Sequence, residues 1–191
     1  MKRKHYHLFL IILLLNINTY GQSNTEKEPI RTEWSTIEYK ERNVEFLLPE
    51  DNYKISNDTL IDPDFGNVEK KSWTLTRSTS KSELLSFGYT FTHSKYPDYK
   101  IEKNKIDEYL QFGTDNMIEM TNGNLFFNKK ISYKGYPGRE IYFSIPNSNF
   151  YCNTKKYVIN NEIYTLTVLT EKENLANISI NKFFNSFKIT N

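Results

Sequence analysis

One cysteine, Cys152, stands in the whole chain, so no disulfide closes within it and no two-cysteine metal site can be built. Histidine is almost as scarce: His5 and His7 lie at the very start, leaving His93 alone in the body of the chain. A histidine-rich zinc site and a zinc-protease helix are thereby excluded. A Cys-His nucleophile would need Cys152 beside His93, and nothing around either residue supports that pairing. Glycines at 21, 66, 88, 113, 123, 135 and 138 never fall into a GxGxxG or Walker A spacing, which removes phosphate-cradling loops. Charge of one sign is missing as well. Residues 1–21 hold three basic and no acidic residues, so without them the formal net charge moves from +2 to −1. No basic excess remains to hold nucleic acid. The apolar run at residues 8–15 (LFLIILLL) is also too short for a membrane-spanning helix, which needs about 20 apolar residues.

That run fits a secretory leader instead, preceded by Lys2, Arg3 and Lys4 and followed by Thr19 and Gly21 at small-residue positions. The expectation is cleavage between Gly21 and Gln22, an exported chain, periplasmic or secreted, and no stable membrane span afterwards. The alternative is an uncleaved N-terminal anchor. No cysteine follows the cut directly, which argues against a lipid anchor. Residues 22–32 (QSNTEKEPIRT) read as a polar, flexible lead-in, and residues 33–190 as a single domain.

Within that domain, alternation with period two marks strands. WSTIEYKE and NVEFLLP form a hairpin around Glu41, Arg42 and Asn43. KKSWTLTR places Trp73 and Leu75 opposite Ser72, Thr74 and Thr76, and LLSFGYTFT places Leu85, Phe87, Tyr89 and Phe91 together. Residues 50–68 read as irregular, because Asn52, Asn57, Asp58 and DPDFGN are turn signals. A helix is expected over NKIDEYLQFGTDNMIEM, weakened at Gly113 by about 1 kcal/mol and capped by a left-handed Gly123. Two hairpins follow, one turning at Pro137-Gly138 and one at Asn160-Asn161. In EIYTLTVL, Tyr164, Leu166 and Val168 face one way and Ile163 and Leu169 the other, so both faces of the sheet need cover. EKENLANISINKFFNSF closes the chain as an amphipathic helix, with Leu175, Ile178, Phe183 and Phe187 as its apolar stripe and Phe184 turned elsewhere. Its aromatic residues read as core, the alternative being an open partner site. The fold class is α+β: an antiparallel sheet flanked by helices in an α-β-α sandwich.

The succession of Trp34, FLLPEDNY, a central helix, YKGYPGRE, NNEIYTLTVL and a closing FFNSF resembles the PsbP-like superfamily over residues 34–188. That group holds photosystem II extrinsic proteins, a Ran-binding eukaryotic family and exported bacterial proteins. The resemblance implies an antiparallel sheet between helices and a binding or assembly role rather than catalysis. Neither the photosystem nor nuclear transport carries over to an exported chain, and the resemblance places no binding residue.

Candidate sites are few. Asp62, Asp64 and Asn67 loosely match an oxygen-rich calcium loop, but the loop glycine and terminal glutamate are misplaced and a polar turn is the better reading. His93 is expected to end a strand in solvent. Cys152 lies in an aromatic strand and reads as a buried, inert thiol, or alternatively as an exposed one pairing between chains. The surface candidates for a ligand or partner are loop tyrosines, Tyr96 and Tyr99 in SKYPDYK and Tyr133 and Tyr136 in ISYKGYPG. With no catalytic, metal or cofactor motif, the expected function is non-catalytic binding of a protein or an envelope glycan. The alternative is a hydrolase of envelope polysaccharide or peptide using paired carboxylates.

Overall fold

The computed structural model describes residues 33–49, 52–62, 66–76, 86–96, 101–172 and 177–190. The expected leader and lead-in, together with Asp64, Leu85, Tyr99 and Leu175, lie outside the described residues. Strands β1 (Trp34–Tyr39) and β2 (Val44–Pro49) form the expected hairpin, turned by a short 3-10 helix at Lys40–Arg42 and by Asn43 at φ 51°. Residues 54–62 and 66–68 depart from expectation, while 70–76 form a strand as expected. Instead of irregular chain the former make β3 (Lys54–Asp62) and the start of β4 (Gly66–Thr76), a long antiparallel ribbon. Asn57 and Asp58 are tolerated because β3 is an edge strand with most of its side chains in water.

The chain continues through β5 (Gly88–Lys95), helix α1 (Ile106–Thr121), β6 (Asn124–Tyr133), β7 (Tyr136–Ser144), β8 (Phe150–Ile159), β9 (Glu162–Glu171), helix α2 (Ile178–Ser186) and β10 (Lys188–Ile189). The large sheet is antiparallel throughout, in the order β3-β4-β5-β9-β8-β7-β6. The first hairpin does not join it. With β10, which sequence alternation is too short to reveal, it makes a separate three-stranded sheet β1-β2-β10. The class is α+β and mainly antiparallel, as expected, but with two sheets rather than one.

Both faces of the large sheet are apolar, and each has its own cover. On one face Trp73, Tyr89, Phe91, Tyr164, Leu166 and Val168 meet Ile37, Val44, Phe46 and Leu48 of the small sheet and Phe183 of α2. On the other, Phe143, Cys152 and Leu169 meet Met117 and Ile118 of α1, while Val158 and Ile163 meet Leu110. Phe87 joins this second side rather than Tyr89 and Phe91, because it lies in the bend before β5. Cys152 is buried, and burial pushes its thiol up to about 12, so it is inert at neutral pH.

Three local expectations are corrected. Helix α1 passes through Gly113 unbroken and is ended by Asn122, at φ 47°, rather than by Gly123. Gly123 is needed for closeness instead: a Cβ there would lie 2.8 Å from the Phe143 ring and from Thr121 Oγ1. The β6–β7 turn falls on Lys134 (φ 48°) and Gly135 (φ 85°), three residues before the Pro137-Gly138 pair. Gly138 lies within β7, where a Cβ would stand 2.5 Å from the Lys156 carbonyl oxygen. Gly138→Ala should therefore force β7 and β8 apart and cost about 1–3 kcal/mol. A denaturation midpoint equal to the parent's would show that the strands are not packed so closely. The Asn160-Asn161 turn is as expected, with φ of 50° and 66°.

Candidate functional site

The loop tyrosines do not come together. Tyr96 follows β5 and packs edge-on against Tyr109 of α1, with centroids 6.0 Å apart. Tyr133 and Tyr136 are cross-strand partners at the β6–β7 turn and pack on the other face, against the main core. The Tyr133 ring lies 5.0 Å from Phe187, and its hydroxyl accepts a bond from the Ile189 amide at 3.1 Å. Tyr99 lies outside the described residues.

His93, expected in solvent, is 3% exposed. It continues the inward phase of Tyr89 and Phe91, which carries it under the small sheet. Tyr39 Oη lies 3.3 Å from His93 Nδ1, and Glu162 Oε2 lies 2.9 Å from Nε2. Tyr164 donates to the same carboxylate at 2.8 Å, and Arg42 Nε is 3.1 Å from its other oxygen. Burial alone would raise the Glu162 pKa, but the hydrogen bonds from His93 and Tyr164, with the charges of His93 and Arg42, hold it below the usual carboxylate range. Burial and the Glu162 carboxylate push the Tyr164 phenol up, and burial also raises Tyr39. The network spans the junction between the sheets: Tyr39 and Arg42 come from the first hairpin, His93, Glu162 and Tyr164 from β5 and β9. It clamps one sheet to the other. Sequence distance hid it, since His93 and Glu162 are 69 residues apart and meet only through the β5–β9 register.

The open surface lies elsewhere. On the strand phase that puts Tyr157 and Leu166 in the main core, the far ends of β7 and β8 carry Tyr142 and Tyr151. Near its start neighbouring β6 carries Phe126 and Phe127, 55% and 37% exposed, while Leu125, 45% exposed, pairs with Phe143 on the other strand phase. The β6–β7 register shifts between Leu125 and Phe127, so Phe126 occupies a bulge with no residue opposite it. Phe126 lies 5.1 Å from Tyr142 and 5.9 Å from Tyr151 between ring centroids, the latter pair nearly parallel. Phe127 lies 5.6 Å from Tyr142, and Lys129 Nζ stands 5.1 Å over the Phe127 ring. Four rings thus form one continuous patch, half in water. The sequence did carry a signal for it. Three consecutive apolar residues in a period-two strand put apolar side chains on both faces, and Leu125-Phe126-Phe127 is such a run.

A shallow hollow on the opposite face is lined by Thr76, Phe87, Gly88, Thr90, Thr167 and Leu169, with about 270 Å³ of empty space, open solvent included. Its lining carries no charged group. Among the described residues no cluster of three or more His, Cys, Asp or Glu side chains is placed to hold a metal ion, and no helix is long and apolar enough to cross a membrane.

No family model matches the chain, and no curated protein matches it. Solved structures do. The solution structure of the cyanobacterial PsbP protein CyanoP from Synechocystis sp. PCC 6803 superposes with a TM-score of 0.55 at 10% identity, covering 87% of this chain and 98% of that one. LpqN of Mycobacterium tuberculosis, described as involved in cell envelope biogenesis, gives a TM-score of 0.46 at 11% identity, over 85% of this chain and 93% of that one. PA94 of Pseudomonas aeruginosa, a protein of unknown function, gives 0.42 at 10% identity, over 78% and 90%. The resemblance read from the sequence thus holds at the level of architecture: the chain has a PsbP-like fold.

Proposed function

We propose that the protein is an exported, non-catalytic accessory protein, an α-β-α sandwich that binds a protein partner in the cell envelope through the ring patch at the open end of β6, β7 and β8. The observation that carries this reading is the exposure of Phe126 and Phe127 beside Tyr142 and Tyr151. A fold that buries aromatic residues on both faces of its sheet gains nothing from leaving these in water, and contiguous exposed apolar surface marks interaction sites. The rings also suit an interface, where aromatic anchors contribute most of the binding energy.

Photo-crosslinking tests the reading in the native host. A photoreactive phenylalanine analogue replacing Phe126 should give a discrete protein adduct in the envelope fraction. The same analogue replacing Ile55, 52% exposed on the opposite edge strand, should not. Equal labelling from both positions, or adducts with glycan alone, would contradict the proposal.

A further inference from the structure

The geometry points to the kind of partner and its manner of docking: an extended segment, apolar at one end and acidic at the other, that adds as a further strand to β6. This rests on the reading of the ring patch as the binding surface. Strand β6 ends the large sheet and, among the described residues, pairs only with β7. Half of its backbone donors and acceptors therefore point away from the sheet along ten residues. The strand also presents two chemistries in sequence. Its first part carries the exposed Leu125, Phe126 and Phe127. Its middle carries Lys129 and Lys130, whose side chains are 58% and 73% exposed. Both lysines have acidic neighbours, Glu140 at 2.9 Å and Asp107 at 2.8 Å, yet Glu140 is only 14% exposed, so at Lys129 the positive end is what faces outward. Lys134 extends the basic stretch at the following turn.

A partner strand laid along this edge gains main-chain hydrogen bonds over its length, apolar contact with the rings, and charge complementarity at the lysines. A second copy of the chain fits worse. Antiparallel self-pairing centred on Asn128–Lys130 sets lysine against lysine, which is destabilising. Moving the centre to Leu125–Phe127 places it on the bulge, where the ladder is already broken.

The probe is a fluorescein-labelled synthetic peptide with alternating valine and threonine in one half and glutamates in the other, made in both orders and titrated onto the mature protein by fluorescence anisotropy. One order should bind, and binding should protect β6 amides from hydrogen exchange. Replacing Lys129 and Lys130 together by glutamine should weaken binding roughly tenfold, equivalent to ~1.4 kcal/mol, without shifting the melting midpoint. Phe126→Ser should weaken it in the same assay. A backbone N-methylated copy of the peptide separates the two levels of the proposal, because it keeps the side chains and loses the hydrogen bonds. If it binds as tightly as the parent in a Phe126-dependent way, strand addition is overturned while the ring patch stands as a binding surface. Binding that is indifferent to Phe126 overturns both. Failure of either peptide order to bind, or concentration-dependent dimerisation through β6, overturns the strand-addition proposal outright.

Discussion

Phe187→Ala should lower unfolding free energy by about 3–5 kcal/mol, the usual cost of emptying a large aromatic site. Phe187 is 4% exposed and lies just past α2, where the chain turns extended. Its ring stacks on Tyr157 at 5.8 Å with an interplanar angle of 4°, and lies 5.0 Å from Tyr133, 5.8 Å from Tyr164 and 6.0 Å from Phe91. It is the point at which the C-terminal segment is pinned to the large sheet, and no neighbouring ring can swing in without leaving its own contacts. A loss of that size is a large part of the roughly 5–15 kcal/mol that stabilises a domain. Phe183 and Phe184 are also buried, so Phe184, expected from the sequence to face elsewhere, should not be a mild site. Ile178, expected in the stripe, is 70% exposed, and Ile178→Ala should change stability little. Chemical denaturation of the two variants side by side decides the matter: a Phe187→Ala curve that overlays the parent would contradict the packing described.

Glu162→Leu should cost about 3 kcal/mol, the lower end for breaking a buried charged network, because Glu162 and Arg42 keep 18% and 27% side-chain exposure. The substitution leaves His93 and Tyr164 without their shared hydrogen-bond partner, and Arg42 without its ion-pair partner, at the junction between the sheets. The pH dependence provides a second check. The Glu162 pKa is lowered by folding, so on acidification the unfolded chain takes up the proton first. This contribution to stability is complete above the unfolded carboxylate range, near pH 4.5, and is lost as pH falls through the lower, folded value. Glu162→Gln should therefore flatten the acid limb of the stability profile. A variant whose acid limb matches the parent's would remove Glu162 from the clamp. His93→Ala, which removes the link between Tyr39 and Glu162, should destabilise by a similar route without implying any catalytic role.

Much of the fold could be read from residues whose behaviour is local. Asparagines 160 and 161 tolerate positive φ whatever surrounds them. The alternation of Tyr164, Leu166 and Val168 against Ile163 and Leu169 assigned both faces of β9 correctly. The errors came where tertiary context overrides local preference. Asn57 and Asp58 are poor strand formers, yet an edge strand leaves them solvated. Gly138 reads as a turn residue but is required by the approach of β8. Ile178 has a stripe position in a helix too short for the stripe to be complete. The clamp around His93 depends on β5–β9 register, which no single segment records. The ring patch was half visible: Leu125-Phe126-Phe127 signals apolar side chains on both faces of its strand, but Tyr142 and Tyr151 join the patch only through the order of β6, β7 and β8.

Under the proposed function the aromatic residues divide into a buried set that holds the fold and a patch at the open end of β6, β7 and β8 that meets a partner. The most direct test replaces two rings of the patch at once, exposed Phe126→Ser with half-buried Tyr151→Ser, and follows melting and partner capture on the same preparation, with the photoreactive analogue moved to position 127. The expected result is a melting midpoint close to the parent's, since surface substitutions usually stay within about 0.5 kcal/mol each, together with loss of the adduct obtained from the parent rings. A sharp fall in the midpoint, or an adduct undiminished in the double variant, would contradict it.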